Sequence, residues 1–401
     1  MKLKLTLLLL SLFSLSMYSQ RIVETIKSKK VNASREIQII LPRGYEEKKD
    51  QKFPLLVVLD ADYLMAPTAS NIRYAVNFDE YLDFVIVGIN QAVNNDRALD
   101  SEFEYNGVPS VNGGAFYEFL TMEVVPYIES KYRVQPFRAI LGHGVTAAFI
   151  NAFLYKDNPY FNAYISMSPI LANNMETIVA DRLQAAEKPI FYYLSYSDGD
   201  ITEDKANIVK LNENINAINN KNVFYKFEYF PRGGHYSYVL QAIPSALNFI
   251  FKDYRRIDLD EYHNKLLVLE NNQTQYLLDK YTDIANNFNF IPTIRLNDFE
   301  ATEAAILKKE NYDELKALAK VAEKHYPRTM LGSYYLALYE EKTENWAAAE
   351  KAYLKAFTME PIGKLSKNLM VENSEAAKAN IPEKVRKSKR TKKGKEQSDE
   401  E

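Results

Sequence analysis

From Ser34 to Tyr254 the chain alternates short apolar runs with longer stretches of helical period. The runs are I-Q-I-I-L (37–41), P-L-L-V-V-L (54–59), F-V-I-V-G-I (84–89), A-I-L-G (139–142), A-Y-I-S-M (163–167), I-F-Y-Y-L-S (190–195) and V-F-Y-K-F-E-Y-F (223–230). Several are apolar at consecutive positions, the pattern of strands covered on both faces in a largely parallel sheet. Between them, residues 115–131 put Phe116, Phe119, Leu120, Val124 and Ile128 on one helical stripe, and residues 145–155 do the same with Phe149, Ile150, Phe153 and Leu154. This alternation predicts an α/β fold over residues 21–255: a doubly wound, mostly parallel sheet with helices on both faces.

After Arg255 the strand runs stop and the pattern turns helical. Residues 256–300 read as connecting helices. A repeat follows: K-E-N-Y-D-E-L-K-A-L-A-K-V-A-E-K-H-Y-P (309–327) and T-E-N-W-A-A-A-E-K-A-Y-L-K-A-F-T-M-E-P (343–361). Glu310 and Glu344, Asn311 and Asn345, Tyr312 and Trp346, Ala322 and Ala356, and Pro327 and Pro361 are all separated by about 34 residues, the tetratricopeptide period. Small alanines let paired helices approach, aromatics fill the gap and Pro ends the helix. Residues 301–365 are therefore expected to form a small all-helical, tetratricopeptide-like region able to take a protein partner. Residues 366–401, basic then acidic towards the end, are expected to be a disordered charged tail.

The N-terminus begins M-K-L-K, continues through the apolar T-L-L-L-L-S-L-F-S-L and closes on S-M-Y-S-Q. That is the layout of a secretory signal peptide over residues 1–20, too short to span a bilayer. The protein is expected to be exported, to the periplasm or beyond, with no membrane span once the signal is removed. The 401 residues hold no Cys, so disulfides, thiol nucleophiles and thiolate metal sites are excluded. A net charge of −3 gives no reason to expect a nucleic-acid partner. No zinc, P-loop or dinucleotide motif is present, and no metal or cofactor is expected. The acidic loop at Asp198, Asp200, Glu203 and Asp204 lacks the spacing of an EF-hand, and carboxylates at a helix start account for it more simply.

The chemistry concentrates at three places. I-L-G-H-G-V-T-A-A-F (140–149) is a strand running into a helix through Gly-His-Gly, the setting of a nucleophile elbow. L-S-Y-S-D-G-D-I-T-E-D (194–204) is an acidic loop after a strand. F-P-R-G-G-H-Y-S-Y-V (230–239) is a Gly-rich turn carrying His235. Elbow, acid and histidine follow one another in the chain order of hydrolases with a G-x-S-x-G turn, and a parallel sheet brings such loops together at its carboxyl edge.

The chain resembles the putative-esterase family of α/β-hydrolases, the group that includes enterochelin esterase and esterase D. The similar stretches are I-I-L-P-R-G-Y (39–45), F-P-L-L-V-V-L-D-A (53–61), G-G-A-F-Y-E-F-L-T-M-E-V-V-P-Y-I (113–128), R-A-I-L-G-H-G (138–144), F-N-A-Y-I-S-M-S-P (161–169) and G-G-H-Y-S (233–237). The resemblance implies a serine hydrolase of carboxylic esters or thioesters. It implies His235 as general base, Asp200 or Asp198 as the acid, and the backbone N–H groups of Val145 and of Ala61 or Asp62 as the oxyanion donors. The nucleophile position falls on Gly144, and the pattern breaks there. It breaks again at Thr146, where the motif has Gly and where a β-branched side chain is expected to crowd the turn. Thr146, Ser168 and His143 are poor substitutes for the missing hydroxyl. Without one no acyl-enzyme forms, and loss of the serine costs a serine hydrolase about 10⁶-fold in turnover. The sequence thus points to a hydrolase-like protein that binds an ester-like ligand, or a protein, without efficient hydrolysis. The alternative is a hydrolase in which His235 activates water.

Overall fold

The computed structural model describes residues 21–94 and 96–382. The chain divides into two compact units. The first holds residues up to Arg255 together with Asn286–Phe290, and the second holds Arg256–Ala285 and the chain from Ile291 on. The expected signal peptide lies outside the described residues.

The first unit is built on an eight-stranded sheet in the order β1-β2-β4-β3-β5-β6-β7-β8. β1 (Arg21–Ser28) and β2 (Ala33–Ile40) are antiparallel to their neighbours, and β3 (Phe53–Val58), β4 (Val85–Ile89), β5 (Val134–His143), β6 (Ala163–Met167), β7 (Ile190–Ser197) and β8 (Val223–Phe230) run parallel. The central runs are covered on both faces: every residue of β3, β4 and β6 is buried. β1 was not among the apolar runs. Its side chains are alternately exposed and half-buried, so R-I-V-E-T-I-K-S forms a half-covered edge whose polar face hides the strand in the sequence.

Helices α1 (Ala61–Val76), α2 (Asp96–Asp100), α3 (Val111–Glu118), α4 (Val125–Lys131), α5 (Val145–Phe149), α6 (Met175–Gln184), α7 (Thr202–Asn216) and α8 (Val239–Ile250) complete this unit. The stripe read over 115–131 is fully buried at all five positions. The backbone there is not one uniform helix, because a π-helical turn at Phe119–Val124 joins α3 to α4. Likewise α5 tightens into a 3₁₀ turn at Ile150–Leu154.

In the second unit, α9 (Leu259–Glu261) is followed by α10 (Gln273–Phe288), whose last residues belong to the first unit. The segment 256–300, expected as a connector, is thus divided between the two units. Then come α11 (Leu296–Lys309), α12 (Glu314–His325), α13 (Leu331–Lys342), α14 (Trp346–Phe357) and α15 (Lys367–Asn380), with each of the last four packed on its neighbour in sequence. A side chain on Gly332 would come within 3.1 Å of the Ala319 carbonyl, so this small residue lets α13 lie close against α12. The expectation of a disordered tail from residue 366 is corrected here. Ser366 caps α15 by accepting the Leu369 N–H at 3.3 Å. Met370, Ser374, Ala377 and Ile381 are buried at helical spacing, enough of an apolar stripe to hold the helix down. Residues 383–401 lie outside the described residues. No described helix is long and apolar enough to cross a membrane.

Candidate active site

The parallel strands bring the loops after β3, β5, β6, β7 and β8 to one edge of the sheet. At the end of β5, Gly144 is buried and adopts φ 65°, ψ −122°, then hands the chain to α5. A side chain is strained in that region by about 1–3 kcal/mol, and glycine avoids the cost. The turn is also tight. A Cβ on Gly142 would stand 2.7 Å from the Thr146 carbonyl, so glycine is required where strand and helix meet.

The structure brings His235 and Asp200 together. His235 Nδ1 lies 2.6 Å from Asp200 Oδ1. Asp200 Oδ2 accepts the Ser197 N–H at 2.8 Å and the Ser168 hydroxyl at 2.5 Å, and Ser168 Oγ is 2.8 Å from the Tyr238 hydroxyl. Burial raises the Asp200 pKa, but the bonds from His235, Ser168 and Ser197 outweigh it and leave the carboxyl below its ordinary value. An ionised Asp200 accepts the Nδ1 proton, which leaves Nε2 of neutral His235 with a lone pair. A Cβ built on Gly144 would be 3.8 Å from that Nε2, so His235 faces the space where a side chain at 144 would begin. Asp198, the other candidate acid, is placed elsewhere: its carboxylate bonds to the Tyr229 hydroxyl and to the Arg232 N–H, away from His235. The D-G-D turn sends its two carboxylates in different directions.

Val145 opens α5 and Ala61 opens α1, so neither N–H has an acceptor one turn earlier. Ala61 is buried, whereas Asp62 is exposed.

Residues that the sequence did not single out fill the rest of the site. Asp60, left-handed at φ 51° and 1% exposed, ends the β3 loop and accepts three side-chain hydrogen bonds. Arg97 donates to it from Nε at 2.6 Å and from Nη2 at 3.1 Å, Thr146 from Oγ1 at 2.7 Å, and the Tyr63 hydroxyl lies 3.1 Å away. Arg97 Nη2 also donates to the His143 carbonyl at 2.8 Å and would be 3.3 Å from a Cβ on Gly144. Burial alone would lower the Arg97 pKa, but the Asp60 carboxylate more than offsets it and secures the charge. A guanidinium therefore stands against the elbow. It is carried there by α2, which Arg35 anchors through Asp96 at 2.6 Å and Asp100 at 2.8 Å. The sequence around Arg97 offers no motif, and only an acidic pair flanking a lone Arg (D-R-A-L-D) hints at a fixed cation.

Thr146 does not crowd the turn. Its methyl and hydroxyl point inward, and Oγ1 also accepts the His143 N–H at 2.9 Å. His143 is buried, with Nε2 3.0 Å from the His235 carbonyl and Nδ1 2.9 Å from the Tyr63 hydroxyl. The carbonyl can only accept, so Nε2 carries the proton and Nδ1 accepts from Tyr63. Burial, reinforced by His235 and Arg97, brings the His143 pKa down to about 3. His143 is thus a neutral brace that holds the His235 backbone, and it has no hydroxyl or charge to offer a substrate.

No curated protein matches the sequence. Among solved structures, an uncharacterised protein from Capnocytophaga ochracea DSM 7271 is 28% identical with a TM-score of 0.82, over 90% of this chain and 100% of that one. An IroE-like serine hydrolase from Shewanella oneidensis is 18% identical with a TM-score of 0.59, over 76% of this chain and 99% of that one. The BES protein from Bacillus cereus is 18% identical with a TM-score of 0.51, over 58% and 95%. The last two likenesses show a shared fold. Residues 28–216, all within the first unit, match the family model described as "Putative esterase".

Proposed function

We propose that this protein is a pseudo-hydrolase: it keeps the histidine and acid of an esterase site, binds a ligand there, and does not hydrolyse esters efficiently. The observation that carries this reading is the elbow itself. Gly144 supplies no nucleophile, and the Arg97 guanidinium stands 3.3 Å from where its Cβ would be. A fixed cation therefore stands beside the position that lacks the hydroxyl. The test is Gly144→Ser. The variant should hydrolyse p-nitrophenyl acetate at least roughly 10²-fold faster than the wild type, because the remaining machinery of such a site acts with the nucleophile as a unit. Adding His235→Ala should remove the gain, and adding Arg97→Ala should increase it by relieving the contact at 144. Stoichiometric labelling of the wild type by a fluorophosphonate would overturn the reading.

The competing reading is hydrolysis by water activated at His235. It is favoured by the approach of Nε2 to the space beside Gly144. It requires a wild-type rate that His235→Ala abolishes.

For the whole protein the reading includes export and a protein-binding helical region. Export is supported by the basic, apolar and polar order of residues 1–20, and N-terminal sequencing of mature protein recovered outside the cytoplasm would test it. A tetratricopeptide-like character for α12–α14 is supported by the 34-residue spacing of Ala322 and Ala356, both fully buried.

A further inference from the structure

The sheet ends on an open strand. β8 pairs with β7 through eight residues in unbroken register, and no strand follows it in the sheet order. The carbonyl of Asn222, just before β8, accepts from Ile190, and that of Phe230, at its end, accepts from Asp198. Even-numbered backbone groups therefore point towards β7 and odd-numbered ones point outward. Among the described residues, the N–H and C=O groups of Tyr225, Phe227 and Tyr229 have no hydrogen-bond partner.

An open edge is a template for another strand, and proteins usually protect it with a proline, a bulge, a short strand or uncompensated charge. β8 is V-F-Y-K-F-E-Y-F, with no Pro or Gly and with five aromatics among its eight residues. Its two charges do not repel a second chain, because Lys226 Nζ lies 2.9 Å from Glu228 Oε1. Both stay partly open, with side chains 34% and 28% exposed. They lie on the α8 face of the sheet, where Lys226 also bonds to Ser245 Oγ at 2.9 Å.

We propose that two copies of this chain join β8 to antiparallel β8 about a two-fold axis at Phe227, continuing one sheet into the other. The proposal is independent of what the Gly144 site does.

Charge selects the register. A two-fold interface is self-complementary: if one residue faces a second, the second faces the first. Facing side chains must also lie on the same side of the sheet, so the axis falls at a residue rather than between two. Centred on Lys226, it sets two lysines face to face, and centred on Glu228 it sets two glutamates. Like charges directly opposite are destabilising. Centred on Phe227, it sets Lys226 against the partner's Glu228 and Glu228 against the partner's Lys226. The four charges then alternate in sign around a closed ring. More distant centres leave part of the strand unpaired.

The same register satisfies the backbone. Phe227 exchanges bonds with the partner's Phe227, and Tyr225 with the partner's Tyr229, so the outward groups are used. Lys226 and Glu228 fall at the positions between, which exchange no backbone bonds and bring facing Cα atoms to about 4.5 Å. Phe224 meets the partner's Phe230, an aromatic pairing that strands favour. Because the strands are antiparallel, the two carboxyl edges, each with its His235, face opposite ways.

The test is sedimentation of the full-length protein. The wild type should be a dimer, and one that stays monomeric up to about 100 μM would overturn the proposal. Lys226→Glu and Glu228→Lys should each weaken the dimer at least about tenfold, since both cross-strand pairs become like-charged. An equimolar mixture of the two variants should dimerise again. There the introduced carboxylate faces the introduced ammonium, and the remaining Glu228 faces the remaining Lys226. Repulsion within each chain persists in the mixture, so the recovery reports pairing between chains alone. Dimers that persist in both single variants, or a mixture of folded variants that stays monomeric, would overturn the proposal. Amide hydrogen exchange on the wild type needs no variant to fold. Protection at Tyr225, Phe227 and Tyr229 should rise with protein concentration as the dimer forms, and fast exchange there in the dimer would also overturn it.

Discussion

A histidine buried against another histidine and an arginine is expensive to protonate. His143 has a folded-state pKa of about 3 against an ordinary 6.5. Its pKa is depressed on folding, so below 6.5 the unfolded chain binds a proton that the folded chain does not. The stabilisation is fully present above the unfolded value and is lost as pH falls towards the folded one. Between pH 6.5 and about 5 the loss amounts to about 2 kcal/mol. Denaturant unfolding should show it: the wild type should lose about 2 kcal/mol more than His143→Gln over that range. Parallel stability curves for the two proteins would show that His143 is protonated with little penalty. At this scale the sequence revealed only what is local. Gly144 and His235 sit in short motifs and could be read directly. Asp198 and Asp200 could not be separated, because they occupy a turn and no periodicity says which carboxylate faces inward. Arg97 was invisible, because its partners Asp60 and the His143 carbonyl lie 37 and 46 residues away.

Two loops share one close approach, and that approach sets the His235–Asp200 pair. Gly199 N–H donates to the Gly233 carbonyl at 2.8 Å, drawing the loop after β7 onto the loop after β8. A Cβ on Gly199 would meet the His235 nitrogen at 2.4 Å and Gly234 Cα at 2.7 Å. Both are backbone atoms, so no side-chain rotation relieves the clash. Gly199→Ala should therefore part the loops, at a stability cost of about 1–3 kcal/mol. The downfield Nδ1–H proton resonance of His235, a signature of its bond to Asp200, should shift or vanish in this variant. An unchanged resonance would mean the loops are not held by this contact. Element types were readable where periodicity was strong, as in the buried strands and the 115–131 stripe. The missed elements have weak patterns. β1 has one polar face, and α15 buries only a narrow stripe of Met370, Ser374, Ala377 and Ile381 within a lysine- and glutamate-rich segment. The π-turn at Phe119–Val124 leaves the buried stripe intact and so leaves no mark in the sequence pattern.

The change from strands to helices near Arg255 is visible in the sequence, but the division of the molecule is not a single cut. The Capnocytophaga ochracea protein matches 90% of this chain at 28% identity, so both units have counterparts in that chain. Asn286–Phe290 returns to the first unit after the chain has left it. The physical reason is Phe288, 1% exposed, whose ring stacks on Phe251 at 5.5 Å and an interplanar angle of 10°. It also packs against Phe137 at 5.1 Å and Phe191 at 5.7 Å. An aromatic in a helical stretch carries no sequence sign that it closes the core of a distant sheet. Phe288→Ala in the full-length protein should destabilise the first unit by about 3–5 kcal/mol, since the change leaves a cavity among aromatic rings. The single tryptophan makes the assignment testable, because Trp346 lies in α14 of the second unit. Unfolding followed by far-UV circular dichroism, which includes all eight strands, should shift to lower denaturant. Unfolding followed by Trp346 fluorescence should shift less. If the dichroism midpoint does not move, the returning segment is a surface clasp and the first unit closes its core without it.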